Sequence, residues 1–418
     1  MSSSPIDHPE GALPPDIAAR VKVHHDELVA LRRDLHAHPE LSWAETRTTR
    51  LVHERLLAVG LQPRLLPGGT GLVCDVGTGS RVIGLRADLD ALPIVDEKAV
   101  PYASTVPGAC HACGHDVHTT ALLGAGLVLA ALADEGLFPG AARLIFQPAE
   151  ESARSGALAV IEAGGAAGLE RIFALHCDPR TDVGRIGLRS GAITGSADQL
   201  LVRLHGAGGH TARPQLTADL VYALGKILTE VPAALSRRVD PRSSLSLVWG
   251  RVSAGSVANA IPHEGLAEGT VRCLDDDAWH SAPDLLKGLI DSVANSYGVN
   301  AEVNYQRYVP PTVNDQASAA MISSAALDVL GAGSVVQTPQ SLGGEDFAWY
   351  LESIPGSLAR LGTRVPGTVA THDIHQPTFD VDERAIGVGV RVMAATAITA
   401  LWDDGAIVAQ PLPGVTGA

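Results

Sequence analysis

"VIGLRADL", residues 82–89, is short, apolar and β-branched at its start, and it runs straight into a further aspartate at Asp90. That makeup reads as a buried strand whose carboxyl end presents Asp88 and Asp90. Working outward, "ARLIFQP" (142–148) is a second strand of the same kind, followed at once by Glu150 and Glu151; "RIFALHC" (171–177) is a third, with His176 near its end. Helical segments lie before and between these strands. The alternation predicts an α/β fold with a mostly parallel sheet. In such sheets chemistry gathers at the carboxyl ends of the strands, where these acids and this histidine fall.

The pattern changes in the middle of the chain. Strand "DQLLVRLHG", helix "TADLVYALGKILTEVPAAL", strands "SSLSLVWGRVSAG" and "GLAEGTVRCL", helix "DAWHSAPDLLKGLIDSVANSYG" and strand "NAEVNYQ" follow in the order β-α-β-β-α-β, which is ferredoxin-like α+β. The economical reading is an inserted domain over 192–305, with the first domain built from 1–191 and 306–418.

Length and charge agree with two soluble domains. A chain of 418 residues is long for one core. With 31 Lys+Arg against 46 Asp+Glu, its net charge of −15 argues against nucleic acid or an anionic membrane surface as a partner. The longest apolar run, Ala121–Ala133, reads as a buried helix because it is shorter than a membrane span. The first 20 residues carry neither a basic nor an apolar leader region, so a cytoplasmic location is expected. Five thinly spread cysteines fit free thiols or metal ligands better than disulfides.

The densest chemistry is "GACHACGHDVHTTALLGAG" (108–126). Cys113 and His115 bring a thiol and an imidazole together at a helix start, a donor pair suited to zinc, nickel, cobalt, iron or manganese. Two rivals stay open from this stretch: a Cys110/Cys113 redox pair, and plain polar capping of a helix. "FQPAEES" (146–152) weighs toward metal, since two adjacent carboxylates after a buried strand need partners. His176 and the His372/His375 pair add imidazoles. "GAGGHTARP" (206–214) lacks the third glycine of a dinucleotide loop, and its glycines serve instead to expose His210.

Taken in order, "RRDLHAHPELSWAE" (32–45), "LRADLDALPI" (85–94), "HACGHDVHTTALL" (111–123), "FQPAEES", "LHCDP" (175–179), "GAGGHTARP", "NAIPHE" (259–264), "GTVRCLD" (269–275), "GGEDFAWY" (343–350) and "HQPTFDVDE" (375–383) resemble the M20 metallopeptidase family. The likeness is to its amidohydrolase branch of N-acyl-amino-acid, hippurate and auxin-conjugate hydrolases. The resemblance implies a catalytic domain holding two divalent ions (Mn, Zn, Ni or Co) and an inserted dimerisation domain. It places Cys113, His115, Glu151, His176 and His375 as metal ligands, Glu150 as general base and Asp90 behind the metal centre. It also offers His210 and Asn259 to the substrate, His210 across a homodimer interface. Cys110 stands where the resemblance fixes no residue.

The expected reaction is hydrolysis of the amide of an N-acyl amino acid or related conjugate by a metal-activated water. The alternatives are a dipeptidase or carboxypeptidase of the same fold, whose bridging ligand is usually an aspartate where this chain presents Cys113, and a metal-binding protein without catalysis. The assembly expected is a homodimer, or a tetramer built from it.

Overall fold

The computed structural model describes residues 16–368 and 372–402. The described residues divide into two compact units: those within 1–191, 314–339 and 349–418 form one, and 192–313 with 340–348 form the other.

The first unit is built on an eight-stranded sheet. Its strands lie in the order Arg64–Leu65, Leu72–Gly77, Ala141–Gln147, Val82–Asp88, Arg171–Asp182, Gly356–Arg364, Ile186–Leu188 and Val335–Gln337. The four central strands run parallel, flanked by antiparallel partners. Val82–Asp88 and Ala141–Gln147 are buried almost throughout, because a central parallel strand is covered on both faces. Parallel neighbours need a crossover, and helix His115–Asp134 joins these two. It packs against helices Ile17–Ala37 and Arg384–Trp402.

From Ala121 to Ala133 helix His115–Asp134 is apolar on every side. Spanning 20 residues, it has the length and composition to cross a bilayer, more than the apolar run Ala121–Ala133 implies. What marks it as a core helix is that 83% of its apolar window is buried inside the protein. Side chains such as Leu122, Leu129 and Leu132 are inaccessible, each stabilising the fold by roughly 1.5–3 kcal/mol.

The second unit has the β-α-β-β-α-β order. Ala197–His205, Ser246–Ala254, Glu264–Arg272 and Asn300–Val309 form an antiparallel sheet in which the first strand lies between the third and the fourth. Leu200, Val202 and Leu204 alternate inward from Ala197–His205. They meet the apolar stripe Leu220, Leu224, Ile227, Val231 and Leu235 of helix Leu220–Arg238 in one core. The last strand continues beyond the predicted boundary at 305, since Asp198 accepts hydrogen bonds from Tyr305 Oη (2.7 Å) and the Tyr308 amide (3.1 Å). Residues 340–348 also join this unit, with Ser341 paired to the backbone of Ile193 and Gly195.

Candidate metal centre

A cluster of donors forms in the first unit around the start of helix His115–Asp134. Gly114 caps that helix in the left-handed region, at φ 91°. A Cβ there would lie 2.8 Å from Cys177 Sγ, so glycine is needed for space as well as for φ. The tight turn places Cys113 and His115 on either side of it.

Two histidines are oriented alike. His115 Nδ1 lies 2.9 Å from the carbonyl of Asp90, and His176 Nδ1 lies 2.9 Å from the carbonyl of Cys177. In each the Nδ1–H donates to a backbone oxygen and Nε2 is left for the cluster, the arrangement that commonly orients imidazole ligands. His176 Nε2 lies 3.4 Å from Cys113 Sγ. His375, held by its amide to the carbonyl of Ala112 (2.7 Å), has Nε2 3.1 Å from Glu151 Oε1. Donor atoms of three overlapping triplets each lie within 4.8 Å of one another: Cys113/His115/His176, Cys113/Glu151/His375 and His115/Glu150/Glu151. The five residues that the resemblance names as ligands are thus brought together with Glu150, whose Oε2 is 3.9 Å from His115 Nε2.

The glutamate turn is set by carboxylates behind it. Asp90 accepts the amide of Glu150 at Oδ1 and that of Glu151 at Oδ2, each at 3.0 Å, and the Ser42 hydroxyl at 2.7 Å. Glu45 accepts the amide of Ala149 at 2.8 Å. Ala149 (φ 52°) and His375 (φ 65°) both adopt the left-handed region, which costs a non-glycine residue ~1–3 kcal/mol and is tolerated where surroundings over-determine the backbone.

Electrostatics separate the members. Burial opposes ionisation of Asp88, yet His115, His118 and Arg86 outweigh it and hold the carboxyl well below its usual range. Burial likewise disfavours charge on His115, but Asp88 and Asp90 raise it to about 10. His176, buried and near Arg360, is pushed well down. His118 is a pin and contributes no free donor: Nδ1 bonds Asp88 (2.6 Å) and Nε2 accepts the Cys177 amide (2.8 Å).

The residues fit divalent transition ions. Thiolate, imidazole and carboxylate donors suit such ions, and His115 Nε2 is a buried polar atom without a hydrogen-bond partner. All five cysteines are free, and Cys110 Sγ faces the Lys98 ammonium at 3.4 Å.

His210 and Asn259 belong to the second unit, on exposed ground. Short strands Gly209–His210 and Ala260–Ile261 pair, and the Thr211 amide reaches the Asn259 carbonyl at 3.4 Å, so 49 residues of separation close to neighbouring positions. His210 Nδ1 accepts the Ala212 amide at 3.0 Å.

Sequence reasoning passed over the support of this pole. Arg32 Nε lies 2.8 Å from Asp116 Oδ2 with both side chains inaccessible, and His36 Nδ1 is 2.7 Å from the same oxygen. Arg32 also reaches Asp380 at 3.0 Å, which ties the chain just beyond His375 to the helix that begins at His115. The arginines and histidine of "RRDLH" were the signal, but nothing local names their partners.

A parallel sheet with thiolate, imidazole and carboxylate donors at its strand ends defines a metallohydrolase type of architecture. The model of peptidase family M20/M25/M40 matches residues 84–399, and the chain belongs to that family. It is 49% identical over 380 residues to a Rhodococcus jostii protein carrying the name of a glutamate–cysteine ligase; the match covers 90% of this chain but only 47% of that relative, so the chain spans about half its length. It is 38% identical over 362 residues to the N-acetyl-L-cysteine deacetylase of Bacillus subtilis, covering 86% of this chain and 85% of the relative. A solved Bacillus subtilis structure, described as a dinuclear metal binding peptidase from the M20 family, superposes with a TM-score of 0.80 at 34% identity, over 91% of this chain and 99% of that one.

Proposed function

We propose that the protein hydrolyses the amide bond of N-acyl amino acids or related amide conjugates, using two divalent ions held by Cys113, His115, Glu151, His176 and His375. One observation carries the reading: Asp90 grips the amides of Glu150 and Glu151 together, while their carboxylates turn to different partners. Glu151 faces His375 as a ligand would, and Glu150 stands beside the cluster, 3.9 Å from His115 Nε2, placed as a base. The ions, when bound, polarise the amide carbonyl and acidify a water. Glu150 takes the proton from that attacking water and delivers it to the departing amine. Asp90 acts as a positioning residue, since its carboxylate oxygens are engaged by backbone amides and Ser42. The resemblance of the chain to an N-acetyl-cysteine deacetylase supports the acyl-amide class over dipeptides.

The test is a hydrolysis screen of N-acetyl, N-benzoyl and long-chain N-acyl amino acids against dipeptides, with Mn, Zn, Co and Ni each supplied. Cleavage of at least one acyl amide well above every dipeptide is expected. Dipeptide cleavage alone, or no metal dependence, would overturn the assignment.

The second unit is proposed to pair two copies, with exposed His210 of one serving the oxyanion in the site of the other. Glu150→Ala and His210→Ala subunits, mixed after dissociation, would then regain about a quarter of wild-type activity, because one site of each mixed dimer carries neither defect. Proven subunit exchange without regain excludes the trans arrangement.

A further inference from the structure

A second site lies in the first unit and shares no residue with the metal-ligand set. Helices Ile17–Ala37 and Arg384–Trp402 pack together. Val21, Lys22 and His25 from the first and Gly387, Val388 and Arg391 from the second line a cavity of about 400 Å³, closed at one side by the turn at Val183–Gly184. That volume is within the range of small-molecule pockets. Gly387 keeps it open: a Cβ there would come 3.7 Å from His25 Nδ1 and 3.8 Å from Val21 Cγ1, filling part of the space without clash.

The charges of the lining are one-sided. Lys22, His25, Arg384 and Arg391 line the cavity, and no aspartate or glutamate does, in a chain with 46 acidic against 31 basic residues. Arg384 is already matched, chelated by Asp382 at 2.5–3.1 Å. Arg391 is partly buried and donates to the carbonyls of Gly387 and Val329, each at 3.3 Å. Burial alone pushes its guanidinium down, with no carboxylate to raise it. Lys22 has no ion pair among the described residues. A guanidinium taken partly out of water without a counter-charge is costly, and an arriving anion relieves that cost. Val21, Val183 and Val388 supply the apolar wall beside it.

We propose that this cavity binds a small organic oxyanion, a carboxylate or phosphate monoester on an aryl or short alkyl body. The oxyanion sits between Arg391 and Lys22, and the body lies against the valines. The class follows from pairing two unmatched cations with an apolar wall: a bare inorganic anion leaves the wall unused, and a neutral ring leaves the cations unmatched.

The test titrates the metal-loaded full chain with benzoate, phenyl phosphate, benzamide and inorganic phosphate, and soaks its crystals with 4-iodobenzoate. Benzoate or phenyl phosphate is expected to bind at least tenfold tighter than benzamide and than inorganic phosphate, whichever of the two is tighter naming the oxyanion. Iodine is expected between the two helices. Lys22→Gln with Arg391→Gln should weaken binding tenfold or more while kcat is unchanged. Gly387→Leu, which fills the space and leaves every charge in place, should do the same. Equal binding of benzamide, equal binding of inorganic phosphate, undiminished affinity in both variants, or iodine only at the metal-ligand cluster would each overturn the proposal.

Discussion

Two groups of buried polar side chains meet at the head of helix His115–Asp134, and they differ in what they are built from. Around Asp116 the groups answer one another: Arg32 and His36 converge on the carboxylate, and Arg32 continues to Asp380. One residue earlier in the chain, His115 points Nε2, which makes no hydrogen bond, into a cluster of thiol, imidazole and carboxylate donors with no arginine or lysine among its members. Asp116 is held well below the usual carboxylate range because Arg32 and His36 outweigh its burial. A carboxylate closed by a buried arginine holds shape, and lone-pair donors gathered by the same helix are available for a ligand. Adjacent residues therefore carry opposite duties.

The largest effects should fall on the donor cluster. Glu150→Gln is expected to keep metal and lower kcat by ~10²–10⁴-fold, the usual contribution of a general base. Glu151→Gln should lose metal as well, because it removes a donor carboxylate 3.1 Å from His375. Metal analysis beside turnover separates them; equal metal content and equal residual rates in the two variants would erase the distinction drawn between the adjacent glutamates.

At the Arg32–Asp116 pair the effect should be stability. Asp116→Asn leaves Arg32 buried with only Asp380 and, at 3.5 Å, Glu383. Removing one partner of a buried ion pair typically costs ~3–5 kcal/mol. A lower Tm is expected, with metal content and kcat of the folded enzyme retained within a few-fold at low temperature. Unchanged Tm with lost metal would place Asp116 on the other side of the comparison.

The contrast explains what could be read from the sequence. The strand ends that present Asp90, Glu150 and His176, and the Cys113/His115 pair, are local patterns, visible as periodicity broken by polar residues. His375 showed in the sequence as one of two nearby imidazoles, and only the resemblance made it a ligand, since its place follows from an amide bonded to Ala112 far back in the chain. The carboxylate of Asp90 reaches amides 60 and 61 positions away, and Arg32 finds Asp380 across 348, so no window of sequence contains these pairs. The same limit hid the return of residues 340–348 to the second unit.

Glu45 stands between the two groups and gives the smallest expected effect. Its side chain is inaccessible; one oxygen accepts the Ala149 amide and the other, Oε2, has no hydrogen-bond partner. Burial first, and then the nearby Asp90 charge, raise its carboxyl from 4.5 to about 7. Below pH 4.5 the folded and unfolded chains both carry the proton, so Glu45 adds no pH dependence there. Between 4.5 and about 7 the unfolded chain releases the proton and the folded one keeps it, so stability falls as pH rises. Above that range the penalty is complete, at ~3 kcal/mol for a shift of this size. Glu45→Gln keeps an oxygen for Ala149 and cannot ionise. The variant should therefore match the wild type near pH 4.5 and exceed it by up to ~3 kcal/mol at pH 8, read by denaturant titration at both pH values. A constant difference between the two proteins across that range would mean that Glu45 ionises normally, and so belongs with the satisfied carboxylates around Asp116.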